Sequence, residues 1–158
     1  VGDIPHIVVL PGDGVGPEVT AAAVAVLTAA CDAAGIAISM EERLIGGAAI
    51  EAEGAPISDA TFASCGQATA ILFGATGAPR WDHLTGNDRP GSALIRLRRT
   101  LGLCINLRPV RVHRGLEDRT TLRAEVIAGC DLMVVRELAG GIYYGERGRD
   151  GSGAEERA

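Results

Sequence analysis

Residues 6–18 read HIVVLPGDGVGPE: a short β-branched apolar run, broken by Pro11-Gly12-Asp13-Gly14 and followed at once by Pro17 and a long alanine-rich stretch. No other feature narrows the fold as much. An apolar run without polar alternation is a strand buried on both faces, as parallel sheets require. Pro17 suits the first helical turn, where its missing N–H is not needed, and Gly35 suits the position just past a helix end. Residues 18–34, with Val19, Val24, Val26 and Leu27, are therefore predicted to be a helix. Strand, tight turn and helix make half of a βαβ unit. Residues 36–44 and 70–73 supply further strands, and 58–65 a short helix with Ser58 or Asp59 near its cap. The expected class is α/β, a parallel or mixed sheet with flanking helices.

Residues 74–91 are loop-like, with Gly46-Gly47 opening an earlier loop. A helix is predicted over 92–101, strands over 104–112 and 132–138, and a short strand over 142–144. The Gly-rich, charged stretch 145–158 has no apolar period and is expected to be disordered. Near residue 100 the composition changes from Ala-rich helices to Arg-studded strands. The expected division is 1–100, 101–146 and a tail at 147–158.

Of the 158 residues, 47% are hydrophobic, which excludes a wholly disordered chain, and a net charge of −5 leaves no basic face for nucleic acid. The longest apolar run, about residues 21–30, reads as too short to span a bilayer, and no secretory signal opens the chain, so the expectation is a soluble intracellular protein with no membrane partner. All 15 basic residues are Arg. A step that needs a lysine amine must take it from elsewhere. Cys31, Cys65, Cys104 and Cys130 lie far apart without a C-x-x-C, which favours reduced, buried thiols over zinc or disulfides. His6, His83 and His113 lack metal spacing, and no Asp pair stands at i, i+4, so no metal ligand is expected in this chain.

Two loops follow strands. The Pro11–Glu18 stretch either lets its backbone approach an anion or is simply a tight turn, and its spacing is not that of a dinucleotide fingerprint. Residues 74–82 (GATGAPRWD) hold Trp81, which either packs the loop or meets a flat ligand. Arg98, Arg108 and Arg136 lie within or at the end of apolar elements, where a guanidinium needs an anionic partner. They either converge as a clamp for a small dianion or form ion pairs with Glu117, Glu125 or Glu137. Arg96 and Arg99 read as solvated charges on a helix face. Tyr143 and Tyr144 fall on opposite faces of their strand, so at most one faces a site, as a general acid or as a packed phenol.

Together these motifs resemble the isocitrate/isopropylmalate dehydrogenase family. The matching stretches are LPGDGVGPEV (10–19), GGAAIEAEGAPI (46–57), GATGAPRWD (74–82), LRR and NLRP (97–99, 106–109) and VRELAGGIYYGE (135–146). The resemblance implies NAD-dependent oxidation of a 2-hydroxy acid at C2 followed by loss of a β-carboxylate. It puts Arg98, Arg108 and Arg136 on the arginines that hold the malate carboxylates, and Tyr143 on the tyrosine that helps protonate the enol. It sets Val15, Ala78, Pro79, Arg80, Trp81, Asp82 and Gly91 near the nicotinamide cofactor, and makes 1–100 part of the cofactor-side domain.

The VREL-x-GGIY stretch resembles the isopropylmalate branch, with Leu94 and Ile95 offering apolar side chains to an isopropyl group. Gly91 stands where that branch usually has Glu, and Ala139 where it has Thr. Family members are about twice as long. The resemblance therefore implies an N-terminal half, with the catalytic lysine, the Mg²⁺ or Mn²⁺ ligands and most of the adenosine loop in the absent half. It implies a cytoplasmic homodimer acting on a small dicarboxylate in leucine biosynthesis, with the isolated chain inactive. Alternatives are a relative acting on D-malate, tartrate, isocitrate or homoisocitrate, and a non-catalytic truncated chain or one piece of a split enzyme.

Overall fold

The computed structural model describes residues 4–113, 115–116, 119–138, 146–150 and 153–157, the last two ranges as backbone. The chain divides into two compact units, Val1–Leu97 and Arg98–Ala158.

In the first unit, β1 (His6–Gly12) is the middle of a three-stranded parallel sheet in the order β2-β1-β3, with β2 at Ser39–Glu42 and β3 at Ala70–Ala75. The expected strand runs to Gly12 because its pairing with β3 continues to the Gly12–Ala75 pair. Val8, Val9 and Leu10 are buried, as an apolar run in a central parallel strand must be. Helix α1 (Gly16–Ala34) has Pro17 in its first turn and a left-handed Gly35 cap whose N–H meets the Asp32 and Cys31 carbonyls. Its more enclosed face runs through Gly16, Thr20, Ala23, Val24, Leu27 and Cys31, a helical stripe that lies on β1 and β3.

Two expectations about these elements are corrected. Because the apolar character runs on through Ala34, α1 is long and apolar enough, by length and composition, to cross a bilayer. Its stripe against β1 and β3 gives it the ordinary place of a crossover helix. The segment beginning at Gly46-Gly47 is not a loop: Gly47–Glu53 forms α2, a helix ended by left-handed Gly54. Ala48, Ala49, Glu51 and Ala52 are good helix formers, and the glycines only start the turn. Helix α3 (Asp59–Gln67) is capped by Ser58, whose Oγ accepts from the Thr61 N–H.

Helix α4 (Ser92–Thr100) begins in the first unit and ends in the second. The second unit is built on β4 (Ile105–Arg111) and β5 (Asp131–Glu137), an antiparallel pair, with a short helix α5 (Ala124–Ile127) between them that the sequence does not announce. Every residue of β5 is exposed. The expected strand at 142–144 lies outside the described residues. Within the stretch expected to be disordered, β6 (Glu146–Asp150) and β7 (Gly153–Arg157) are paired antiparallel strands. The register sets Glu146 opposite Arg157 and Arg147 opposite Glu156. The thiols are free, but only Cys65 is buried, while Cys104 is exposed and Cys31 and Cys130 are half-buried.

Candidate functional site

The carboxyl ends of β1, β2 and β3 bring three loops together in the first unit. β1 lies between β2 and β3, so the chain leaves it in one direction and returns on the other side, the switch point where open parallel sheets place ligands. At that point stands Asp13, 4% exposed. Its Oδ2 accepts from the Gly47 N–H at 2.6 Å and its Oδ1 from the Gly77 N–H at 2.9 Å. Its own N–H donates to the Ala75 carbonyl at 2.9 Å. Gly46 is left-handed (φ 71°), and a side chain there would press on Thr76 and the Asp13 carboxylate. A side chain at Gly47 would collide with the Trp81 indole, so glycine is needed for space.

The expected cofactor residues lie around this knot. Val15 is the N-cap of α1 and is 57% exposed. Ala78 precedes a 3-10 turn, Pro79–Trp81, and accepts through its carbonyl from the Trp81 N–H; Asp82 closes the turn by donating to Pro79. Arg80 lies over the Trp81 ring at 4.8 Å and forms an ion pair with Glu51 of α2. The Trp81 Nε1 is buried, with no hydrogen-bond acceptor among the described residues. The Trp81 indole lies close against Gly47. Gly91 is exposed and has open space on its Cβ side.

The arginine reading falls in the second unit. Antiparallel pairing sets Asn106 opposite Arg136 and Arg108 opposite Val134, so Arg108 and Arg136 stand on one face of the ribbon as diagonal neighbours. Both are exposed, and the Arg108 Nε donates to Asn106 Oδ1 at 2.7 Å. Arg98, half-buried, is near the end of α4. Its carbonyl accepts from the Leu103 N–H, and the next residue, Cys104, accepts from the Leu138 N–H. Backbone connections thus place Arg98 toward the same ribbon end as Arg136. Neither Arg98 nor Arg136 is without a partner. The opposite ribbon face carries Ile105, Leu107, Met133 and Val135, all exposed.

On α4, Leu94 and Arg98 are four residues apart and Ile95 and Arg98 three, so both apolar side chains border the arginine's face. Leu94 is half-buried and Ile95 exposed. Arg96 is more engaged than a solvated charge: it lies over the Phe62 ring at 4.7 Å and pairs with Asp59 at 3.4 Å. Tyr143 and Ala139 lie outside the described residues.

A polar cluster that sequence reasoning missed joins β1 to β2. His6 Nδ1 meets Ser39 Oγ at 3.0 Å, and its Nε2 meets Glu41 Oε2 at 3.3 Å. The Arg43 side chain bonds to Glu41, and this contact, helped by His6, holds the Glu41 carboxyl below its ordinary range against a smaller opposing effect of burial. Burial pushes the Cys65 thiol up, the Glu41 charge adds to this and Arg43 opposes it. The parallel register that puts His6 opposite Ser39 would have shown the cluster, but register is not readable from spacing alone.

Two groups implied by the resemblance can be tested against these residues. Among the described residues no three His, Cys, Asp or Glu side chains gather to hold a metal ion. Val15, exposed and apolar, stands at the start of α1.

A profile of the isocitrate/isopropylmalate dehydrogenase family matches residues 6–158. The chain is 50% identical over 153 residues to a 3-isopropylmalate dehydrogenase of Anaeromyxobacter dehalogenans, covering 96% of this chain and 43% of that protein. It is 51% identical over 156 residues to the 3-isopropylmalate dehydrogenase of Yersinia pestis, covering 97% and 43%. Among solved structures, it is similar to isocitrate dehydrogenase from Methylococcus capsulatus (TM-score 0.74, 28% identity, 98% of this chain and 42% of that one). A β-decarboxylating dehydrogenase from Thermococcus kodakarensis in its apo form also matches (TM-score 0.67, 29% identity, 98% and 40%). The chain spans less than half the length of the curated relatives it matches.

Proposed function

The chain belongs to the isocitrate/isopropylmalate dehydrogenase family, and from that premise we propose that it supplies the carboxylate-binding arginines and one wall of the cofactor site of a 3-isopropylmalate dehydrogenase. The reaction is NAD-dependent oxidative decarboxylation of 3-isopropylmalate to 4-methyl-2-oxopentanoate, in the cytoplasm, by a homodimer. The observation that carries this reading is the ribbon register that sets Arg108 and Arg136 on one face. Two planar guanidinium forks, with Arg98 toward the same end, can grip a dicarboxylate and fix its orientation. Leu94 and Ile95 border the Arg98 face and suit a branched alkyl group.

Val15 and the 78–82 turn would hold the nicotinamide end of NAD, which accepts the hydride when bound. Tyr143 would deliver the proton that quenches the enol. Because the sequence holds no lysine to supply the catalytic amine that the family resemblance implies, this reading has the 158-residue chain inactive alone.

The test is an assay of the purified chain with 3-isopropylmalate, NAD and Mg²⁺. No NADH should form until the chain is mixed with the complementing portion of a relative, and steady turnover by the chain alone would contradict the reading. A second reading, a related decarboxylating dehydrogenase for D-malate, tartrate, isocitrate or homoisocitrate, is favoured by Gly91, where the isopropylmalate branch usually has Glu. A substrate panel on the complemented enzyme separates the two.

A further inference from the structure

We propose that Asp13 is a positioning residue: its one carboxylate locks the loops after β1, β2 and β3 together and so keeps the 78–91 segment ordered for cofactor. The cofactor clause rests on the function proposed above; the locking does not.

The strands do not need Asp13 to pair. β1 and β2 are joined through backbone as far as the Val9–Glu42 pair, and the Arg43 N–H still reaches the Val9 carbonyl. Beyond that point the two chains part. The Oδ2 bond from Asp13 to the Gly47 N–H reconnects them, and the Oδ1 bond to Gly77 ties in the third loop. One side chain thus bridges positions 34 and 64 residues away. Only a carboxylate offers an acceptor oxygen to each of two N–H donors; an amide has a single oxygen and would turn its own NH₂ toward the second donor.

A buried carboxylate is costly unless its oxygens are well bonded. Here each carboxylate oxygen accepts from a backbone N–H, Oδ2 from Gly47 and Oδ1 from Gly77. The lock extends outward by packing. The Gly47 that donates to Asp13 is the one against which the Trp81 indole lies, and Arg80 reaches from the same turn to Glu51 of α2. Releasing Asp13 therefore loosens Trp81 without removing a strand from the sheet.

The experiment compares the wild-type chain with D13A and D13N by amide hydrogen exchange at Gly47, Gly77 and Val9 and by emission of Trp81, the single Trp. In D13A, exchange at Gly47 and Gly77 should rise on the order of tenfold or more, with a red shift of Trp81, while Val9 changes much less. In D13N one of the two glycines should keep its protection and the other lose it. Unchanged protection and emission in both variants would overturn the proposal. So would an equal rise at Val9, because the carboxylate would then support the whole sheet rather than its loops. Should D13A not fold, D13N decides: selective loss at one glycine sustains the lock, and equal protection at both refutes it.

A parallel NADH titration addresses the other clause. Saturable Trp81 quenching in wild type that weakens at least fivefold in D13A ties loop order to cofactor, and equal quenching in both removes that tie. Absence of quenching in wild type counts against the function reading alone, since the exchange comparison is decided without NADH.

Discussion

The two units use similar apolar strand sequences and treat them differently. In the first, HIVVL is sealed within a parallel sheet, with Val8 and Leu10 at 0% exposure. In the second, DLMVVRE pairs just as regularly yet leaves Val135 63% exposed. The cause is connectivity. Parallel neighbours require a crossover, and the crossover helix α1 arrives already lying on the strands. Antiparallel β4 and β5 require only a linker, and the intervening α5 of four residues brings no such layer. A strand's hydrophobicity therefore states that it wants cover; topology decides whether its own segment brings that cover. In the ribbon that holds Arg108 and Arg136, every residue of β5 and all of β4 but half-buried Asn106 are exposed.

The largest effect that would sharpen this contrast is in the core. Leu10→Ala should cost about 2–5 kcal/mol of stability, whereas Val135→Ala should change it by no more than about 0.5 kcal/mol, both by urea unfolding of the chain. Equal losses would break the comparison. The ribbon should instead be sensitive in function: in the complemented enzyme, Arg136→Ala should lower kcat/KM on the order of tenfold to a hundredfold, the worth of one charge-assisted bond, with the melting temperature unmoved.

Thiol chemistry gives a smaller, kinetic contrast. Burial raises the Cys65 pKa, leaving less thiolate at neutral pH, and also blocks access. Exposed Cys104 should therefore be alkylated by iodoacetamide well before Cys65, as read by peptide mass spectrometry at pH 7.5. The smallest effect is electrostatic. The Glu41 pKa is depressed in the folded chain, chiefly by Arg43, so its contribution is complete above the ordinary glutamate value and is lost as pH falls through the lowered folded value. Glu41→Gln should flatten a small part of the acid limb of stability, measured by urea titration from pH 6 to pH 3, by slightly lowering the neutral value while leaving the pH 3 value nearly unchanged.

The elements legible in the sequence are those whose signals are local. Pro17 and Gly35 bracket α1, and the HIVVL run marks β1, because caps and periodicity act over a few residues. α2 was obscured by its opening glycines, although Ala48–Ala52 is helix-forming and Gly54 marks the stop. The 146–157 hairpin was obscured because unlike charges replace the apolar alternation that usually identifies strands. The site is less legible than the fold for the same reason. That Arg108 and Arg136 share a face depends on the register of a partner strand, and that Asp13 is buried depends on amides at Gly47 and Gly77. Spacing along the chain carries neither fact.

The claim at the centre of this account is that arginines of the second unit bind one dicarboxylate together. The most direct measurement follows the Arg Nε–H resonances of the chain by NMR as 3-isopropylmalate is added. Arg98, Arg108 and Arg136 should shift along one saturation curve with a shared dissociation constant, while Arg43, Arg80 and Arg96 stay still. Independent curves for the three, or shifts spread evenly over all the arginines, would contradict it.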